Sequence, residues 1–302
     1  MNDIRPITAI ILNAGSGDGA AESARDTLQS VFAEAGHVVT VTLVRSVEEL
    51  RIAVQDGLRD NAHTIVAGGG DGTVNGVAQL IIGQSTLLGV LPLGTLNHFA
   101  RDLGIPLDLR EAAQVILNGT TMRVDVGEVN GRYFLNNSSL GMYPRIVQLR
   151  ERYKARGVLK WFVAAWATLR VMSASRPIRL RIQVDGRDVE RTTPLVFIGN
   201  NEYRMAGFDA GSRESLVDGQ LAIYVVKTNG RWRLLRLVWR ILTGTAQRSG
   251  ELALVRATVA TIDTSRTLLP VAVDGEVESL RVPLHYRIHP RALNVHVPSV
   301  TR

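Results

Sequence analysis

The chain has 302 residues, 45% of them hydrophobic and 21% charged, a balance that builds a packed core and excludes a disordered chain; the length suits two domains better than one. Cysteine is absent, which excludes disulfide frameworks, cysteine–zinc sites and thiol catalysis. Against 28 Asp+Glu stand 35 Lys+Arg, a formal charge of +7 that suits phosphorylated ligands, anionic membranes or nucleic acid.

In chain order, Ile7 to Leu12 reads as a strand running into the turn Asn13-Ala14-Gly15-Ser16-Gly17. Glu22 to Ala35 carries Ala24, Leu28, Val31 and Phe32 at helical spacing. A strand over His37 to Val44, a helix over Glu48 to Leu58 and a buried strand over Thr64 to Ala67 follow, then a helix over Val74 to Ile82 and a strand over Leu87 to Leu91. This alternation predicts a parallel sheet faced by helices. After Asp125 the texture changes to short strands: Arg132 to Asn137, Ile178 to Val184, Thr193 to Gly199, Leu221 to Val226, Leu252 to Ile262, Val271 to Val273, Val277 to Val282 and Leu293 to Val297. Asp185-Gly186, Asp218-Gly219 and Asp274-Gly275 read as turns between strands, and 144–174 and 231–246 as helical. The expectation is an α/β parallel-sheet nucleotide-binding domain over 1–126 and an antiparallel β-sandwich domain over 127–302, its last residues able to pack back on the first.

The sharpest motif is Gly68-Gly69-Gly70-Asp71-Gly72-Thr73-Val74-Asn75, between a buried strand and a helix. Side-chain-free backbone and a helix N-terminus form a site for anions such as pyrophosphate; Asp71 and Thr73 add a magnesium-facing carboxylate and a phosphate-bonding hydroxyl. A second polar turn, Pro92-Leu93-Gly94-Thr95-Leu96-Asn97, leaves the next strand at the same carboxyl edge, and Asn13, Ser16 and Gly17 make a third, the usual ligand position in open α/β sheets. The P-loop pattern is missing, and no Gly-x-Gly-x-x-Gly opens a helix.

These two runs, extended through Phe99-Ala100-Arg101 and joined by Asp125-x-Gly127, Asn137-x-Ser139-x-Gly141, Asp218-Gly219-x-Leu221 and Asp274-Gly275-Glu276, resemble the diacylglycerol kinase catalytic-domain family, which includes bacterial lipid kinases and the sphingosine kinases. The resemblance implies a nucleotide-binding domain and a lipid-binding β-sandwich with ATP in the cleft between them. It implies that Gly69, Gly70, Gly72, Thr73 and Asn75 hold the phosphates, that Gly94, Thr95 and Asn97 contact the nucleotide from the neighbouring turn, and that Thr42 does so from the second strand. Asp274 and Glu276 match the catalytic pair. One of them takes the proton of the lipid hydroxyl, because an alcohol is a poor nucleophile unless a carboxylate lies within hydrogen-bond reach; Asp274 is favoured, with Asp71 a third contender. Asp218 and the backbone of Gln220 match a structural magnesium site, which Ser215 weakens where a carboxylate can stand. Gly76 and His98 replace acidic residues usual in the family, and no chemical role is assigned to His98.

Between Arg145 and Arg176 eight basic residues face one acid, interleaved with Trp161, Phe162 and Trp166. A second cluster, Arg231-Trp232-Arg233 through Trp239-Arg240, holds the other two tryptophans. Indoles and arginines together suit an anionic membrane interface. No apolar window reaches the ~18 residues of a membrane span, so a cytoplasmic, peripherally membrane-associated protein is expected, with no nucleic-acid partner. The leading reading is an ATP-dependent lipid kinase using magnesium. A NAD kinase, which shares the Gly-Gly-Asp-Gly-Thr element, and a non-catalytic lipid- or nucleotide-binding regulator are its rivals.

Overall fold

The structure, a computed structural model, describes residues 7–15, 20–144, 177–184, 186–204, 212–227, 230–243, 245 and 250–299. The helical segment expected over 144–174 lies almost wholly outside them. Two compact units result: 1–124 with 291–302, and 125–290.

In the first unit, β1 (Thr8–Asn13), β2 (Val39–Val44), β3 (Thr64–Gly69) and β4 (Leu87–Pro92) form a parallel sheet in the order β2-β1-β3-β4. Asn294 and Val295, near the end of the chain, pair in parallel with Leu87 and Leu88 on the outer side of β4. The intervening helices are α1 (Ala20–Glu34), α2 (Val47–Arg59) and α3 (Asp71–Ile81); α4 (His98–Asp102) and α5 (Leu109–Asn118) follow β4. β1 to β2 steps one way across the sheet, and β2 to β3 and β3 to β4 step the other way. Right-handed crossovers therefore put α1 on one face and α2 and α3 on the opposite one, and α1 packs with α5, α2 with α3. The reversal falls between β1 and β3, where ligands bind in such sheets.

Local chemistry sets the helix starts. Ser46 caps α2 by accepting the Glu49 N–H (3.1 Å), and Asp108 caps α5 by accepting those of Arg110 (2.9 Å) and Glu111 (3.0 Å). α3 begins at Asp71 rather than Val74, so Gly68 and Gly69 close β3, Gly70 is the N-cap of α3, and Asp71, Gly72 and Thr73 lie in its first turn. Gly76 sits inside α3, and a Cβ there would lie 3.6 Å from the Leu50 methyls, ordinary contact. Gly76→Ala is therefore expected to stabilise the protein by about 0.5–1 kcal/mol, read as a higher urea midpoint at unchanged m-value.

The second unit is a sandwich of two sheets. One, in the order β12-β11-β10-β7-β14-β15, comprises β12 (Leu252–Ala257), β11 (Leu221–Val226), β10 (Leu195–Asn200), β7 (Asn137–Gly141), β14 (Leu268–Val273) and β15 (Glu276–Arg281). In the other, β13 (Val259–Asp263) lies between β8 (Ile178–Val184) and the first half of β16 (Leu284–Val297), with β9 (Arg187–Thr193) outside β8; β5 (Thr120–Val129) pairs with β6 (Arg132–Phe134). Leu140, Ile198, Ile223 and Val271 from the first sheet meet Leu180, Ile182, Ile262 and Tyr286 from the second in one buried core. The fold class expected from the sequence, α/β plus antiparallel β-sandwich, is the observed one.

Several strands differ from their sequence reading. Leu252 to Ile262 is two strands in two sheets: Ala257 and Ala260 both face the core while Val259 is exposed, a slip in the period-two alternation that marks the bend at Thr258. Arg132 to Asn137 breaks after Phe134, because the next three N–H groups bond a distant side chain, described below. β9 has little apolar pattern. Arg179–Glu190 (2.5 Å) and Arg181–Asp188 (3.3 Å) ion pairs join it to β8, a charged edge of the kind that discourages further strand pairing. Helix α6 (Arg231–Leu242) buries Leu234 and Leu237 against Met142 and Val226.

Candidate active site

The three loops at the carboxyl edge of the parallel sheet are tied to one another. Asn13, ending β1, donates from Nδ2 to the Thr73 hydroxyl (3.0 Å), while its Oδ1 accepts the Gly15 N–H (2.8 Å). Asp71 accepts the Phe99 N–H at the start of α4 (3.2 Å). Between these bonds the loops meet glycine to glycine: a Cβ on Gly94 would come within 2.4 Å of the Gly70 Cα, and one on Gly69 within 2.5 Å of the Thr73 hydroxyl. Bare backbone is thus required at this edge. Gly94→Ala is expected to push the two loops apart and to weaken nucleotide binding at least tenfold, read by isothermal titration with an ATP analogue.

Asn97 adopts φ 51°, a conformation asparagine tolerates better than most residues. Its amide is used within its own loop, Oδ1 accepting the Gly94 N–H (3.0 Å) and Nδ2 donating to the Gly94 (2.8 Å) and Pro92 (3.3 Å) carbonyls. That fits shaping of the turn that presents exposed Thr95. Asn75 is buried and its Oδ1 lacks a partner, a polar atom held in reserve beside the loop. Thr42 stands exposed on the edge strand β2, in a groove of about 410 Å3 along α2. His98 is exposed. Ser16 and Gly17 lie outside the described residues.

In the second unit, Asp274 and Gly275 form the two-residue turn of the β14–β15 hairpin, with φ 46° and 89°, the double positive φ that a type I′ turn needs. The Asp274 carboxylate points into the protein. Its Oδ2 accepts the Leu135 N–H (2.7 Å) and its Oδ1 those of Asn136 and Asn137 (both 2.9 Å). Burial pushes its pKa up to about 6, against the opposing pull of the three N–H groups and of Arg213. Glu276, the next residue but one, has an exposed side chain. The structure therefore gives the two acids of the expected pair different surroundings, one enclosed and bonded, the other open.

Asp218 is exposed in a turn where the Ser215 hydroxyl accepts the Val217 N–H (3.2 Å) and Asp125 accepts the Gly219 N–H (2.6 Å); the Gln220 N–H goes to Asn201 Oδ1 (3.3 Å). Among the described residues no cluster of three or more His, Asp or Glu could hold a metal. Hard cations take six or more oxygens, several from carboxylates, so one exposed carboxylate does not fit a tight cage, and no chemical step is routed through this turn.

On α6, Trp232 is 73% and Trp239 67% exposed; seven residues apart, they share one side of the helix. Arg236 and Arg240 are paired with Glu251, the latter at 3.1 Å; those contacts, led by Arg236, lower the Glu251 pKa. Arg233 is exposed; Trp161, Trp166 and the Arg231 side chain lie outside the described residues. No helix among the described residues is long and apolar enough to cross a membrane.

Residues 8–129 match the diacylglycerol kinase catalytic domain, and residues 139–297 match the YegS C-terminal NAD kinase beta sandwich-like domain. The chain belongs to the diacylglycerol kinase catalytic-domain family. It is 27% identical over 273 residues to proteins named diacylglycerol kinase from Staphylococcus aureus strains RF122 and JH9, covering 88% of this chain and 84% of each relative. A crystal structure of a diacylglycerol kinase from Bacillus anthracis str. Sterne superposes with a TM-score of 0.72 at 22% identity, covering 96% of both chains, a likeness of fold. Family membership makes the protein a kinase-type phosphotransferase and implies ATP as co-substrate and a lipid as substrate.

Sequence reasoning missed Asn97 as a loop-shaping residue and missed the buried set Asp125, Asn200, Asn201 and Arg213. A loop asparagine or arginine reads as solvated, and nothing along the chain marks these four as neighbours.

Proposed function

We propose that the protein transfers the γ-phosphate of ATP to a hydroxyl of a diacylglycerol-like or sphingoid lipid. The observation that carries this reading is the carboxyl edge of the first unit, where three loops are bonded together around backbone that no Cβ could occupy. The amides of Gly69 to Gly72 and the first turn of α3 bind and orient the triphosphate, with Thr73 held in place by Asn13. Asp71, whose Oδ1 accepts the Phe99 N–H, is the carboxylate in these loops that would hold a magnesium ion bound with the nucleotide, and such an ion would supply charge compensation for the transferring phosphoryl group.

In the second unit the proton acceptor is Glu276. Asp274 spends both carboxylate oxygens on three N–H groups, so it holds the hairpin turn and Glu276 is the acid left to meet a lipid hydroxyl. The hydroxyl proton passes to the Glu276 carboxylate as its oxygen attacks the γ-phosphorus, and ADP departs with the bridging electron pair. Labelled-ATP transfer onto a panel of diacylglycerol, sphingosine and NAD tests the reading: label on a lipid supports it, and label on NAD alone would move the protein to the NAD kinase reading. Binding of nucleotide with no transfer to any acceptor would make it a regulator.

The substrate's location suits α6 as an interfacial anchor, with Trp232, Trp239 and Arg233 facing an anionic bilayer. Flotation with phosphatidylglycerol vesicles checks this. The Trp232→Ala/Arg233→Ala/Trp239→Ala variant is expected to lose most of its vesicle-bound fraction, and binding equal to wild type would reject the anchor.

A further inference from the structure

Arg213 is 7% exposed, an unusual position for a guanidinium, which is costly to remove from water unless its N–H groups are well bonded. It donates to the Leu135 carbonyl, to the Asn200 carbonyl (3.2 Å) and to Asn136 Oδ1 (3.1 Å), and lies 5.7 Å from the centre of the Tyr203 ring. Leu135 and Asn136 are two of the three residues whose N–H groups hold Asp274. Asn200 reinforces the same segment: its Nδ2 donates to the Leu135 carbonyl (2.9 Å) and its N–H to the Asn136 carbonyl (2.9 Å). The return bond, Asp274 N–H to the Asn137 carbonyl (2.9 Å), closes the hairpin onto it. Segment 135–137 is thus a short bridge of peptide groups, its carbonyl side gripped by Arg213 and Asn200 and its N–H side by Asp274.

The geometry points to Arg213 as a positioning residue for phosphoryl transfer, fixing the 135–137 bridge and through it the hairpin turn that presents Glu276. This rests on the lipid kinase reading for its kinetic consequence and on the bond chain alone for its structural one. A planar guanidinium can serve two carbonyls and an amide oxygen together; a lysine ammonium is a point donor and cannot reproduce that fork. Arg213 contributes a second influence, since its charge opposes the upward shift of the Asp274 carboxyl.

The test compares wild type with Arg213→Lys and Arg213→Met. By hydrogen exchange, both variants are expected to exchange at least tenfold faster in peptides spanning 134–138 and 272–278, with 66–76 unchanged. This arm needs no activity, so it speaks even if wild type phosphorylates none of the lipids. Faster exchange confined to 134–138 would overturn the proposal. In the kinetic arm, Arg213→Met is expected to lower kcat about 30-fold with KM for ATP and lipid within twofold of wild type, and Arg213→Lys to fall between. Introduced into Glu276→Gln, Arg213→Met should lower residual turnover less than threefold, since residues acting as a unit are not additive. A full 30-fold loss in that background would assign Arg213 to general stability and overturn the positioning role. If Arg213→Met does not fold, the same comparisons are read on Arg213→Lys.

Discussion

Glu276→Gln is expected to lower kcat for lipid phosphorylation by about 10²–10⁴-fold, the contribution typical of a positioned proton acceptor, while leaving the urea midpoint where it was. The side chain is exposed at the first position of β15, and a glutamine there keeps the shape and hairpin pairing while losing the basic oxygen. ATP affinity should also be unchanged, because the loops proposed to hold the phosphates belong to the other unit. The experiment pairs labelled-ATP turnover with titration of an ATP analogue. Turnover within threefold of wild type would take the base role from Glu276 and return it to Asp274 or Asp71.

Asp274→Ala is expected to behave differently, destabilising the protein as well as silencing it. Three N–H groups lose their shared acceptor, and each buried unpaired donor costs about 1–3 kcal/mol, so about 3–9 kcal/mol is expected where water does not reach them. Urea unfolding reads it directly. The pH dependence has a definite sign. The Asp274 pKa is raised in the folded protein to about 6, so the folded state holds a proton where the unfolded chain has released it. That contribution to stability is full below the ordinary carboxylate range and is lost as pH rises through about 6. The stability gap between wild type and Asp274→Ala should therefore widen by up to about 3 kcal/mol between pH 7 and pH 4, at about 1.4 kcal/mol per pKa unit. A gap that narrows on acidification would show that the three N–H donors outweigh burial.

The first unit was legible because its signals are local. Buried runs such as Thr64–Gly69 and Leu87–Pro92 alternate with amphipathic helices, and the glycine triplet marks a place of close backbone approach, as Gly68 and Gly69 show. The Asp274-Gly275 hairpin was equally plain, since that dipeptide suits two consecutive positive φ angles. The helix entered after the Pro92–Asn97 turn is α4, while α5 and the polar strand β9 went unread. β9 offers Val189 as its one apolar residue, whereas α5 carries a clear apolar stripe, Ala112, Ala113, Val115 and Ile116, behind its Asp108 cap, a local signal that was passed over.

Residue type and spacing determined the two textures, the glycine-rich loops and the tryptophan–arginine cluster of α6, and the resemblance to the kinase family added the candidate acids. What they left open is which acid is which. Asp274 and Glu276 are two residues apart and chemically alike, yet one carboxylate is enclosed by N–H groups from 135–137 and the other is exposed. Partners more than 130 positions away along the chain made that distinction. Only the tertiary structure could decide it, because burial and hydrogen-bond partners set what a carboxylate can do, and both are properties of neighbours in space.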